Sequence, residues 1–356
     1  MNDSPLPPAL RLLSGPLAAA YGRIIAGRNA KFDSGRGVVE LDRPVISVGN
    51  LSVGGTGKTP MVAWIVRALL RNGNRPVIAM RGYSKSGASD EAMEYQAEFS
   101  EVPVVAQPDR LEGLIDLFHD PAGAETDVVV LDDGFQHRKI ARQLDVVLID
   151  ATRDPFADRL LPRGWLREPV ESLGRAGSVV ITHAERAAPS EIDRLRREIA
   201  TRAPGIALSV ARHGWSELIV VEGGAERRES TGWLKGKRVV AACGIGNPGP
   251  FLKAVREASG AEVLEFVRPD HDPYLPRTIM DLFRLAKDRA AQAIVMTGKD
   301  WAKLRAVRPD AWPCPVVRPK LEMMFQSGGE ELLGRVLEAA KMGGTADAAD
   351  GGAGEQ

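Results

Sequence analysis

Two short stretches of this chain carry side chains suited to phosphate chemistry. The first is Ser52-Val53-Gly54-Gly55-Thr56-Gly57-Lys58-Thr59. Its glycines let successive backbone N–H groups curl toward one phosphate. A helix starting just beyond adds partial positive charge at the same point. Lys58 would reach the outer phosphates of a nucleotide, and the Thr59 hydroxyl would ligate Mg²⁺. The second stretch is Asp132-Asp133-Gly134, which closes the apolar run Asp-Val-Val-Val-Leu of residues 127–131. A carboxylate at the end of a buried strand can meet the metal of a phosphate loop. Strand residues alternate faces, so one aspartate can reach the metal while the other braces the loop.

These groups need a scaffold, and the flanking sequence supplies one. Val45 to Val48 reads as a buried parallel strand, and Met-Val-Ala-Trp-Ile-Val-Arg-Ala-Leu-Leu after Pro60 reads as a helix. Strand, glycine loop, Lys-Thr and helix in that order form the P-loop arrangement. The usual pattern has glycine where this chain has Ser52. Further apolar strands are expected at 75–80, 102–106, 144–150 and 178–182, with helices at 110–118 and 191–203 between them. That alternation predicts an α/β fold, a doubly wound, mostly parallel sheet of P-loop NTPase type.

The expected organisation has five parts. Residues 1–32 form an N-terminal amphipathic helix, 33–210 the P-loop domain and 211–236 linker strands. Residues 237–340 form a smaller C-terminal α/β domain, and the glycine-rich stretch 341–356 a disordered tail. Lys+Arg and Asp+Glu both number 47, so the balanced charge argues against a nucleic-acid partner. Two cysteines, Cys243 and Cys314, make neither a disulfide framework nor a metal cluster and fit a reducing compartment. No uncharged apolar run reaches the roughly 18 residues that a spanning helix needs.

Other residues admit two readings. Asp90 and Glu91 could bind Mg²⁺ or accept a proton from an attacking hydroxyl. On spacing alone they read as the acidic first turn of a helix. Leu-Leu-Pro-Arg-Gly-Trp-Leu-Arg-Glu-Pro (160–169) carries Arg163, Arg167 and Glu168, and an arginine there could neutralise a transferring phosphoryl group or form a local Arg–Glu pair. His271, between Asp270 and Asp272, is a poor metal ligand without a second histidine but a plausible acid–base helper. In residues 8–28, Leu10, Leu13, Leu17, Ala20, Tyr21 and Ile24 recur at helical spacing, with Arg11, Arg23, Arg28 and Lys31 beside them and a bend expected at Pro16. Such a stripe can lie in a membrane interface, although most amphipathic helices face their own core.

The motif set resembles the tetraacyldisaccharide 4′-kinase family. The residues carrying the resemblance are VGNLSVGGTGKTP (48–60), RGY (81–83), DE (90–91), LDDGFQH (131–137), LPRGWLREP (161–169), CGIGNPGPF (243–251), PDHDPY (269–274) and TGKD (297–300). They follow the family's order from about residue 8 to about residue 325. The resemblance implies transfer of the ATP γ-phosphate to the 4′-hydroxyl of a tetraacylated disaccharide 1-phosphate, a lipid A precursor. It implies a monomer held peripherally on the cytoplasmic face of the bacterial inner membrane, with the N-terminal helix touching lipid. By motif, Asp90 is the catalytic base with His271 as partner, and Lys58 acts on the phosphates. Thr59, Glu91, Asp132 and Asp133 surround Mg²⁺, Tyr83 and Gln136 contact nucleotide or active site, and Arg167 contacts phosphate.

The chain departs from the family pattern in places. Only six residues separate Tyr83 from Asp90, and Ser89-Asp90-Glu91-Ala92 stands where the family has Gly-Asp-Glu-Pro. Gly298 replaces a glutamate before Lys299-Asp300. The competing readings are a P-loop kinase of another sugar or lipid, a nucleotide switch or metallochaperone NTPase, and a non-catalytic membrane-binding module. A switch would need neither the Asp90–His271 pair nor the 161–169 loop.

Overall fold

The computed structural model describes Pro5 and residues 13–82, 90–270 and 272–342, with Asp90 and Ala122 described by backbone alone. Tyr83 and His271 therefore lie outside the described residues, as does the expected disordered stretch from residue 343 onward. The chain forms two compact units, residues 1–213 with 323–356, and residues 214–322.

The first unit runs through α1 (Ser14–Asp33), β1 (Val45–Asn50), α2 (Lys58–Arg71), β2 (Pro76–Met80), α3 (Asp90–Glu98), β3 (Val104–Ala106) and α4 (Arg110–His119). It continues with α5 (Pro121–Ala124), β4 (Val128–Asp132), β5 (Leu144–Asp150), β6 (Ser178–Thr182), α6 (Pro189–Arg202) and the first half of β7 (Ala207–Glu222). Its strands lie in the order β7-β6-β5-β1-β4-β2-β3. Every neighbouring pair is parallel. All residues of β1, β2 and β4 are buried, as continuous apolar runs in a sheet covered on both faces require. Ile46, Val48, Val128 and Val130 pack on one face with Met61 and Ile65 of α2. Val45, Val129 and Leu131 pack on the other with Leu114 of α4. The sheet is doubly wound, as the strand runs predict.

The second unit contains the second half of β7, β8 (Ala225–Glu229), β9 (Val239–Cys243), α7 (Gly249–Ser259), β10 (Val263–Val267), α8 (Pro276–Asp288), β11 (Ala293–Met296) and α9 (Gly298–Leu304). It ends within β12 (Val316–Ser327), which α10 (Gly329–Ala339) follows. Its order is β10-β9-β11-β12-β7, with β8 antiparallel on β7.

Three details differ from the sequence expectation. Residues 207–222 form one 16-residue strand, not several short ones. The C-terminal segment does not stay with residues 237–322: Leu332, Val336 and Ala339 of α10 bury against Met61, Val62 and Ile65 in the first unit. Pro16 does not break α1, which is continuous from Ser14. Pro16 is its third residue, where a missing N–H loses no intrahelical bond. Among the described residues, no helix is long and apolar enough to cross a membrane.

Candidate active site

β1 and β4 are neighbours in the sheet, so the loops leaving their C-terminal ends meet. Ligands bind at such ends in open α/β sheets. Beyond β1 the chain pairs with the 160–169 loop. Val53 N–H donates to Trp165 O at 2.8 Å, Arg167 N–H to Leu51 O at 2.7 Å, and Ser52 bridges Leu166. Ser52 is thus a buried pairing position without positive φ, which explains why serine serves where the generic motif has glycine. The positions that need glycine come later. Gly54 has φ 130° and Gly57 φ 85°. A Cβ on Gly57 would also lie 2.9 Å from His213 Cε1. The Thr182 hydroxyl donates to Thr56 O at 2.9 Å and ties the loop to the end of β6. Gly55, Lys58 and Thr59 follow in the same loop and the first turn of α2.

The two aspartates occupy different environments. Asp132 ends β4 and is buried, and its Oδ2 accepts from the Tyr95 hydroxyl at 3.0 Å. Burial pushes the Asp132 carboxyl above its ordinary pKa, against the pull of Lys58 and Tyr95. Burial also pushes the Tyr95 hydroxyl well up, and the Asp132 charge adds to this; the Thr59 hydroxyl acts on it in the opposite sense. Asp133 has φ 52°, which turns its side chain out of the strand and into a ring of cations. Lys58 Nζ lies 3.5 Å from its Oδ1 and Arg167 Nη1 2.7 Å from its Oδ2. Arg110 Nη1 donates to its carbonyl at 3.2 Å. Burial alone would raise the Asp133 pKa, but Lys58, Arg167 and Arg110 together hold it below the ordinary value. Gln136 sits alongside, its Nε2 donating to Asn50 O at 2.8 Å and its Oε1 3.5 Å from Arg167 Nη1.

This donor set suits a hard cation. Oδ1 of Asp132 and Oδ1 of Asp133 are both buried without a hydrogen-bond partner among the described residues. No cluster of three or more His, Cys, Asp or Glu is found among those residues. Glu91 therefore does not join Asp132 and Asp133 in one cluster among the described residues, and these two aspartate oxygens are the carboxylate ligands a Mg²⁺ ion could take.

The acceptor-side residues are described only in part. Asp90 and Glu91 form the first turn of α3, as the acidic helix-start reading expects. Glu91 is exposed, one turn before Tyr95, so α3 links the acidic pair to Asp132 through Tyr95. In the second unit, three of the quoted motifs meet at one end of its sheet. Asp300 Oδ1 accepts from Gly244 N–H at 3.1 Å, and its Oδ2 accepts from the Thr297 hydroxyl at 2.6 Å. Asp272 accepts from Tyr274 N–H at 2.7 Å and from Arg268 Nε at 3.1 Å. Asp300 thus ties the turn after β9 to the start of α9, and Asp272 braces the loop after β10. Cys243 beneath them is buried, which pushes its thiol up to about 11, and nearby Asp300 adds to this.

Several residues of the first unit's site carried no sequence signal. Tyr95 sits in a charged helix, and Arg110 looks like an ordinary first-turn residue. His183 and His213 lie 30 residues apart yet stack at 4.6 Å behind the loop, with His183 Nδ1 3.2 Å from Asp150 Oδ1. Burial lowers the His213 pKa to about 4, with His183 and Arg186 adding to the effect. Arg153 donates to Val53 O at 3.0 Å and lies over the Trp165 ring.

The chain is similar over most of its length to proteins of one family. The family model for tetraacyldisaccharide-1-P 4′-kinase, LpxK, matches residues 10–338. A tetraacyldisaccharide 4′-kinase from Anaeromyxobacter sp. (strain K) is 37% identical, over 93% of this chain and 90% of that protein. One from Pelodictyon phaeoclathratiforme is 30% identical over 93% and 98%. The crystal structure of LpxK from Aquifex aeolicus in complex with ATP superposes with a TM-score of 0.68 at 28% identity, covering 93% of this chain and 99% of that one.

Proposed function

The chain belongs to the tetraacyldisaccharide 4′-kinase family, and from that premise we propose how its residues carry out the reaction. It is an ATP-dependent lipid A 4′-kinase, a phosphotransferase with an alcohol acceptor. The γ-phosphoryl group of ATP passes to the 4′-hydroxyl of a tetraacyldisaccharide 1-phosphate.

The P-loop amides from Gly54 to Thr59 hold the nucleotide phosphates, and Lys58 neutralises their outer oxygens. Thr59, Asp132 and Asp133 would hold Mg²⁺, with Glu91 the further carboxylate that the family motif assigns to it. When bound, the metal supplies Lewis-acid neutralisation of the phosphate oxygens. Arg167 faces the same point and would stabilise charge spreading over the transferring group. Asp90 is the base that orients and deprotonates the 4′-hydroxyl, and His271 keeps that carboxylate ionised. Tyr83 and Gln136 contact the nucleotide or line the site. The observation that supports this division is the Lys58–Asp133–Arg167 cluster at the joined ends of β1 and β4. The test is transfer of γ-phosphate from ATP to detergent-dispersed lipid acceptor by Asp90→Ala and Asp133→Asn. The reading expects both to lose transfer by at least about 100-fold. Near-normal turnover of either reassigns that residue.

The enzyme is expected to work as a monomer at the cytoplasmic face of the inner membrane. Leu13, which caps α1, and Leu17 and Ile24 within it are 55%, 48% and 68% exposed, and Ala20 lies on the same stripe. Apolar side chains facing out along the first three turns of a helix suit the acyl boundary of a bilayer. Co-sedimentation with anionic vesicles, lost in the Leu17→Glu/Ile24→Glu double variant, tests this; retention would contradict it.

A further inference from the structure

The face of α1 beside its exposed stripe is tied to the active-site loops. The Tyr21 hydroxyl donates to Arg167 O at 2.8 Å. Two turns on, Arg28 Nη2 donates to Gln136 O. Asn29 Nδ2 reaches Glu168 Oε2 at 3.4 Å. Arg138, just beyond Gln136, returns bonds to Asn29 O at 3.1 Å and Asp33 Oδ1 at 2.7 Å. Close packing accompanies these bonds: a Cβ on Gly22 would lie 3.2 Å from Leu160 Cδ1. Glu168 is fully buried and paired with Arg175 at 2.7 Å, so the loop beside Arg167 is fixed from beneath as well.

Arg167 and Gln136 come from separate loops, and Arg167 Nη1 joins them, donating to Asp133 Oδ2 and, at 3.5 Å, to Gln136 Oε1. α1 grips the backbone carbonyl of each. We propose that Tyr21 and Arg28 are positioning residues, and that α1 sets the Arg167 guanidinium and the Gln136 amide in register with Asp133. The helix that presents the exposed apolar stripe thereby also fixes a cation of the phosphoryl-transfer site. This inference rests on the assignment of Arg167 to that site. A displacement of about 1 Å in a positioning group costs up to about 100-fold in rate. Loss of one carbonyl contact should therefore show in turnover more than in stability.

The test is a double-mutant cycle in the lipid phosphorylation assay. Tyr21→Phe keeps the ring and removes only the donor. It should lower kcat roughly five- to tenfold, leave KM for ATP within about twofold, and leave Tm within about 2 °C. In an Arg167→Ala background the same substitution should cost less than about twofold, because the group it positions is gone. Arg28→Ala, measured through the corresponding cycle with Gln136→Ala, should behave alike. An undiminished effect in the Arg167→Ala background overturns the inference and marks the contact as structural. A silent Tyr21→Phe beside a slow Arg167→Ala overturns the inference alone. Arg167→Ala at the wild-type rate overturns the assignment of Arg167 and the inference with it.

Discussion

Arg167 Nη1 lies 2.7 Å from Asp133 Oδ2, which joins the 160–169 loop to the end of β4 beside the P-loop lysine. Both side chains are partly exposed, at 25% and 22%, so the pair contributes little to stability. Its effect is to orient a cation and an anion at one point. Arg167→Ala should lower kcat by at least about 100-fold while shifting stability by no more than about 1 kcal/mol. Arg167→Lys should recover only part of the activity, because an ammonium cannot reproduce the planar guanidinium contact. Steady-state kinetics with thermal melts checks both. A large Tm loss in Arg167→Ala would place the residue in the fold rather than the chemistry.

Gly57 is constrained twice, by φ 85° and by the His213 ring that a Cβ would meet at 2.9 Å. Gly57→Ala should weaken nucleotide binding by about tenfold or more. Adding His213→Ala removes the clash but not the backbone strain, so the double variant should recover only partly. Nucleotide titration of the three variants decides this, and full recovery would show that the clash alone matters.

Tyr95 holds Asp132 in one orientation. EDTA should abolish transfer and Mg²⁺ restore it, and Tyr95→Phe should raise the Mg²⁺ concentration needed by several-fold. An unchanged Mg²⁺ titration would remove Tyr95 from the metal's support.

His137 and His213 are each lowered to about 4, first by burial and then by nearby positive charge, Arg110 for the one and His183 for the other. Their folded values lie below the ordinary value of 6.5. Between those limits the unfolded chain binds more protons, so stability is full above pH 6.5 and falls as pH drops toward 4. Tm should decline by several degrees from pH 7 to pH 5, and His213→Gln should flatten that slope. A slope identical to wild type would contradict the buried, neutral state of His213.

The sequence made the sheet legible because its central strands are buried on both faces and read as unbroken apolar runs. The P-loop and Asp132-Asp133 were legible because their chemistry lies in consecutive residues. What escaped depends on contacts between distant segments. Tyr95 meets Asp132 across 37 residues, and Tyr21 meets Arg167 across 146. Tyr21 was grouped with the apolar stripe of α1, yet its hydroxyl reaches the neighbouring, docked side. Periodicity located a stripe but could not say which face the protein would cover: Ile25 is buried, while Leu17 and Ile24 are exposed. α10 escaped for a related reason, since an apolar helix face carries no mark of which unit's sheet it will join.

The central claim is that the γ-phosphoryl group of ATP passes to a lipid hydroxyl, releasing ADP, and not to water. The measurement is the fate of labelled γ-phosphate with wild-type enzyme, ATP, Mg²⁺ and a detergent-dispersed tetraacyldisaccharide 1-phosphate. Label should appear on the 4′-position of the lipid, with hydrolysis in the absence of lipid far slower. Vigorous lipid-independent ATP hydrolysis with no labelled lipid would contradict the account.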